Sequence, residues 1–94
     1  MVRAFVVYEG EVDESRFAQH AELCRKVEGA AAFRSGKVFG APMGEPRFKY
    51  YAEWEFPDRD AFKAAARTPE FMDTGRDAME MGVPFTVSFA EISE

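Results

Sequence analysis

Between Phe48 and Phe56 the chain reads FKYYAEWEF, in which Phe48, Tyr50, Ala52, Trp54 and Phe56 alternate with Lys49, Tyr51, Glu53 and Glu55. A period of two sends the large apolar groups to one side of an extended ribbon and the charges to the other, which is the pattern of a strand with one buried face. Such a strand needs partners on both edges and an apolar layer above it.

Val2 to Tyr8 is β-branched and aromatic and is closed by Glu9-Gly10, giving a first strand. Asp13 or Ser15 then caps a helix that runs through Phe17, His20, Leu23 and Cys24 and stops at Gly29. Ala31 to Phe39 forms a second strand, Gly40 to Pro46 a loop, and Phe48 to Phe56 the third strand. Pro57-Asp58 opens a second helix through Ala61, Phe62, Ala65 and Ala66, Pro69 to Met81 is helical up to Gly82, and Phe85 to Ile92 is a last strand. The order βαββαβ predicts an α+β, ferredoxin-like split βαβ fold: a four-stranded antiparallel sheet with helices on one face. With 94 residues and no linker-like stretch, the expectation is a single domain spanning 1–94. A domain this small buries only somewhat more than about 60% of its unfolded surface, so self-association would add useful burial.

The one histidine of the chain stands one turn after Phe17 and one turn before Cys24, on the apolar stripe of the first helix, so His20 points inward. Its unperturbed pKa of about 6.5 suits proton transfer near neutral pH. The competing reading is a core histidine satisfied by a neighbouring polar group. On the side of the sheet away from the helices, the alternation puts Tyr51, Glu53, Lys49, Glu55, Arg34, Val38, Thr86, Ser88 and Ala90. That mixture of aromatic and hydrogen-bonding groups is what lines a cavity, and two such sheets closing on each other would enclose one. The expected site therefore combines His20 with Tyr8 and Tyr51 as catalytic groups, and Arg34, Glu53, Val38 and Ser88 as pocket wall. The tyrosines serve equally well as amphipathic residues of a dimer interface.

The formal net charge of −5, with twelve Lys and Arg scattered among seventeen acids, argues against a nucleic-acid partner. No stretch approaches the roughly 20 apolar residues of a membrane span, so no membrane partner is expected. One cysteine and no cationic-then-apolar leader point to a cytoplasmic protein. His20 and Cys24 share a helix face, but no second His or Cys exists to complete a zinc site, and no metal is expected. Cys24 reads as a small buried hydrophobe. Phe71, Met72, Met79 and Met81 fit either a flexible lid or, on helical spacing, core packing.

The segments VYEG, RFAQHAELCRKVEG, FRSGKVFG, YYAEWEF and DAMEMGVPF resemble, over essentially the whole chain, the small EthD-like proteins of the dimeric α+β barrel superfamily. The histidine followed three residues later by leucine, His20 and Leu23, carries much of the likeness. Where the family's common form has Gly-Pro before that leucine, this chain has Ala21-Glu22. The resemblance implies a homodimer whose sheets face each other, a cavity between sheet and helix, and the handling of small organic molecules. Relatives in the superfamily include cofactor-free monooxygenases, lactone isomerases, cyclases and haem-binding enzymes, among which fold does not choose. Axial haem ligation would need only His20. The expected function is binding of a small apolar or aromatic metabolite with His20 handling protons, as a cofactor-free oxidoreductase. The alternative is a non-catalytic small-molecule binding or dimerisation module.

Overall fold

The computed structural model describes residues 1–93; Glu94, the last residue of the expected domain, lies outside them. The central strand β1 (Val2–Tyr8) pairs antiparallel with β3 (Tyr50–Phe56) on one edge and β4 (Phe85–Glu91) on the other, and β2 (Ala32–Lys37) completes the sheet beyond β3 in the order β2-β3-β1-β4. Three helices, α1 (Glu14–Arg25), α2 (Arg59–Ala66) and α3 (Pro69–Glu80), cover one face. This is the split βαβ arrangement, with the second helical segment divided into α2 and α3.

The register explains the core. Tyr8 is opposite Tyr50, Val6 opposite Ala52, Ala4 opposite Trp54 and Val2 opposite Phe56, so one face of β1 and β3 is a continuous apolar surface buried under the helices. α1 contributes Phe17, His20, Ala21 and Cys24, whose spacing of three and four residues forms its buried stripe. Phe17 stacks on Tyr50 with ring centroids 4.4 Å apart and meets Tyr8 edge-on at 5.3 Å. The buried indole of Trp54 donates to the Cys24 carbonyl at 3.0 Å, an acceptor at the end of α1 that also takes the Val27 N–H, so the buried indole N–H is satisfied. Asp58 caps α2 by accepting from the Ala61 N–H at 2.8 Å, and Thr68 caps α3 just before Pro69.

Element boundaries follow the expectation closely, except in the second and third strands: β2 is Ala32–Lys37, shorter than the expected Ala31 to Phe39, and β3 starts later. β3 begins at Tyr50 rather than Phe48, because the 38–49 connection reaches the sheet only through the Lys49 N–H, bonded to the Tyr8 carbonyl, and the Lys49 carbonyl, bonded to the Val38 N–H. Phe48 is thereby left half-buried outside the core. Among the methionines considered for core packing, Met72 and Met79 are exposed, while Phe71 and Met81 pack against the core. The helix layer also stops short of the edge strand: Val87 and Phe89, opposite Val6 and Ala4 on the helix side of the sheet, are exposed. Among the described residues no helix is long and apolar enough to cross a membrane.

Phe56 is fully buried where β3 meets α2, its ring edge-on to Phe62. Phe56→Ala is expected to cost about 3–5 kcal/mol in urea unfolding. A loss under about 1 kcal/mol would contradict this account of the core.

Candidate active site

α1 carries Arg16 and His20 four residues apart and therefore on one face, where both reach Asp77 of α3. His20 is buried, 1% exposed, at the point where α1 crosses the end of β1. Its Nε2 lies 2.7 Å from the Tyr8 hydroxyl and its Nδ1 lies 2.8 Å from Asp77 Oδ2. Arg16 holds the same carboxylate with both arms of its guanidinium, at 3.1 Å to Oδ2 and 2.8 Å to Oδ1. The result is a chain of four side chains, Arg16, Asp77, His20 and Tyr8, leading from the partly exposed surface of α1 and α3 into the core.

The electrostatics fix the direction of these bonds. The Arg16 guanidinium, joined by the hydrogen bond from His20, holds Asp77 below the usual carboxylate range, so Asp77 accepts and does not donate. Nδ1 of His20 then carries the proton, and Nε2 is left as the acceptor of the Tyr8 O–H. Burial pushes the His20 pKa down, a trend that the bond to Asp77 only opposes, so the ring is held neutral. Burial likewise raises Tyr8, which stays a phenol. The Cys24 thiol, 3.7 Å from His20 Nε2, is pushed up to about 12, by burial first and then by the Asp77 charge. It is inert as a nucleophile at neutral pH.

The inner end of this chain opens on a cavity of about 70 Å³ between the sheet and α3, bounded by Tyr8, His20, Val6 and Trp54 below and by Phe71, Thr74, Gly75 and Ala78 of α3 above. Phe85 and Val87 of β4 line its outer side. Both ring nitrogens of His20 are engaged, and a space of this size does not hold a porphyrin, so these residues do not fit axial haem ligation. Among the described residues no group of three or more His, Cys, Asp and Glu is gathered to hold a metal ion. A larger groove of about 280 Å³ runs between α2 and β4 past Phe62 and Phe89. Its Arg3 and Arg59 are paired with Glu53 and Glu91, and no histidine or tyrosine lines it.

Of the residues expected at the site, Tyr8 and His20 meet. Tyr51 does not join them: its neighbours Tyr50 and Ala52 are the ones buried under the helices, so the period of two turns Tyr51 to the opposite face. There it lies over Gly36, where an added Cβ would stand 2.9 Å from its ring. Glu53, Arg34 and Ser88 share that open face, with Glu53 bound by both Arg3 and Arg34. Val38 lies beyond the end of β2. None of these five lines the cavity beside His20, so the pocket wall expected from the sequence is separated from the imidazole by the sheet itself. Asp77 and Arg16 were not singled out by the sequence. Nothing local marks Asp77 among seventeen acids, although the four-residue spacing of Arg16 and His20 is visible once a shared partner is known.

A four-stranded antiparallel sheet with helices on one face and a buried polar relay beneath them defines a ferredoxin-like α+β protein. Solved structures narrow this further. The chain is 31% identical to an ethyl tert-butyl ether d (EthD) family protein from Bacillus halodurans, with 99% of each chain covered and a TM-score of 0.85, and it belongs to the EthD family. It shares the fold of a dimeric ferredoxin-like protein of unknown function from a Jannaschia species, at 19% identity, 97% and 98% coverage and a TM-score of 0.78. The same fold recurs in a cofactor-independent oxygenase from Streptomyces nogalater, at 16% identity, 99% and 93% coverage and a TM-score of 0.67. No family model matches the chain, and no curated protein matches it significantly.

Because the folded protein holds His20 below its ordinary value, the unfolded chain takes up the proton first as pH falls. The contribution of neutral His20 to stability is complete above about pH 6.5 and is lost below it, with a slope of at most about 1.4 kcal/mol per pH unit. Urea midpoints measured from pH 7 to pH 5 are expected to fall in the wild type and to fall less steeply in His20→Gln. Equal slopes would contradict the buried neutral imidazole.

Proposed function

We propose that this protein is a homodimer that binds a small apolar or aromatic molecule bearing an acidic hydroxyl or C–H in the cavity above Tyr8, and moves its proton through Tyr8 to His20. The observation that carries this reading is the buried Tyr8–His20 hydrogen bond at the wall of an otherwise apolar cavity. A ligand hydroxyl beside Tyr8 Oη donates to it while Tyr8 donates to Nε2. Asp77 and Arg16 then stabilise the imidazolium that forms. The anion left in an apolar site can give up electrons to dissolved dioxygen, the oxidant this reading requires, and a cofactor-free oxidoreductase is then the reaction class that fits best.

The dimer in this reading is built on the open sheet face. Phe5, Val7 and Tyr51 are half-exposed there, while the charged groups among them, Arg3, Arg34, Glu53 and Glu55, are already paired with one another. A face whose charges are internally neutralised is cheap to desolvate against a second copy. The Jannaschia relative is described as dimeric. A cytoplasmic location fits a chain whose one cysteine is a buried free thiol, and the net charge of −5 fits a partner other than nucleic acid.

Native mass spectrometry followed by calorimetric titration with phenol tests both parts. The expected result is a dimer that binds phenol, with affinity reduced about tenfold in Tyr8→Phe, the loss of one hydrogen bond at a buried site, or about 1.4 kcal/mol. A monomer would overturn the dimer, and phenol affinity unchanged in Tyr8→Phe would overturn the site.

A further inference from the structure

Gly75 lies in the middle of α3, where glycine weakens a helix relative to alanine. Neither of the usual reasons for a glycine applies. Its backbone φ is not among the positive ones, which belong to Gly29, Gly44 and Gly82. No helix or strand approaches it closely either, since a Cβ built there has no atom within 4 Å. It does have a place in the cavity: Gly75 is exposed and lines the chamber one residue after Thr74, facing the edge strand β4. On that side the lining residue Val87 is itself exposed, because the helix layer does not extend over β4. Gly75 on α3 and Val87 on β4, both exposed lining residues, thus mark the side on which the chamber faces solvent.

The size of the chamber gives this exposed side a purpose. Ligand sites for drug-sized molecules run to about 300–1,000 Å³, and about 70 Å³ accommodates only one end of an aromatic metabolite. The polar end has its partner at Tyr8, so the remainder must leave between α3 and β4. We infer that Gly75 is the specificity-determining residue of the cavity: its missing side chain keeps this passage open, and the ligand class is a flat, elongated aromatic hydroxyl compound that reaches Tyr8 at one end and crosses Gly75 at the other. The inference rests on the binding site proposed above and adds its length limit. Leucine at this position would close the passage against Val87 while leaving the Tyr8 end of the chamber untouched.

Calorimetric titration of the wild type, Gly75→Ala and Gly75→Leu with phenol and with 2-naphthol tests it, with thermal melting as the control for folding. The wild type is expected to bind both. Gly75→Leu should lose at least tenfold in affinity for 2-naphthol and less than threefold for phenol, with Gly75→Ala intermediate and both variants melting no lower than the wild type. Unchanged 2-naphthol affinity in both variants, or equal losses for the two probes, would overturn the gate while leaving the binding site in place. A wild type that binds neither probe would overturn the binding site, and the gate with it. Should Gly75→Leu melt early, the Gly75→Ala comparison decides, since alanine is favoured in a helix and meets nothing there.

Discussion

An imidazole at 1% exposure survives in a core only if both of its nitrogens are satisfied, and here they are, by Tyr8 on one side and Asp77 on the other. The rest of the arrangement follows from that requirement. Asp77 is only partly buried and would itself be costly at the helix interface without a counter-charge, which Arg16 supplies in a two-armed contact from the same face of α1 that carries His20. Tyr8 is fixed from the other direction, as the last residue of the central strand, with Phe17 packed edge-on against it. Two helices and the middle of the sheet are thereby tied together through one ring.

This construction reconciles a stable core with a reactive group. A histidine paired with a carboxylate on one nitrogen and a phenol on the other is oriented, neutral and unable to exchange partners without the protein opening. What it presents to the cavity is the Tyr8 hydroxyl, backed by an acceptor at His20 and by the Asp77 carboxylate and Arg16 guanidinium, the groups that the proposed proton transfer would use. The walls around it, Val6, Trp54, Phe71 and Phe85, are apolar. The proximity of Cys24 adds little chemistry, since its thiol is held protonated by the same burial.

Much of the fold was legible because alternation and helical spacing are local properties. The FKYYAEWEF strand, the Phe17, His20 and Cys24 stripe, and the Pro57-Asp58 and Pro69 helix starts each announce themselves within a few residues. The site was legible only by half. That His20 points inward and that Tyr8 ends the first strand are local facts; that they meet depends on where α1 crosses β1. The mixed aromatic and charged face that carries Tyr51 and Glu53 reads in the sequence as a wall of the same pocket, yet the sheet turns that face away from the helices. Asp77 and Gly75 became visible only when α3 was laid over α1 and the cavity, since an acid and a glycine in a helix mean nothing by their spacing alone.

The state of the His20 ring is the most direct test of this account, and the chain contains no other histidine to confuse the signal. Nitrogen-15 NMR of the imidazole, recorded at pH 6.5 where a free histidine is about half protonated, should show a neutral ring with the proton on Nδ1 and a bare Nε2. A half-protonated ring at that pH, or the proton on Nε2, would contradict the relay from Tyr8 to Asp77 on which the proposed chemistry stands.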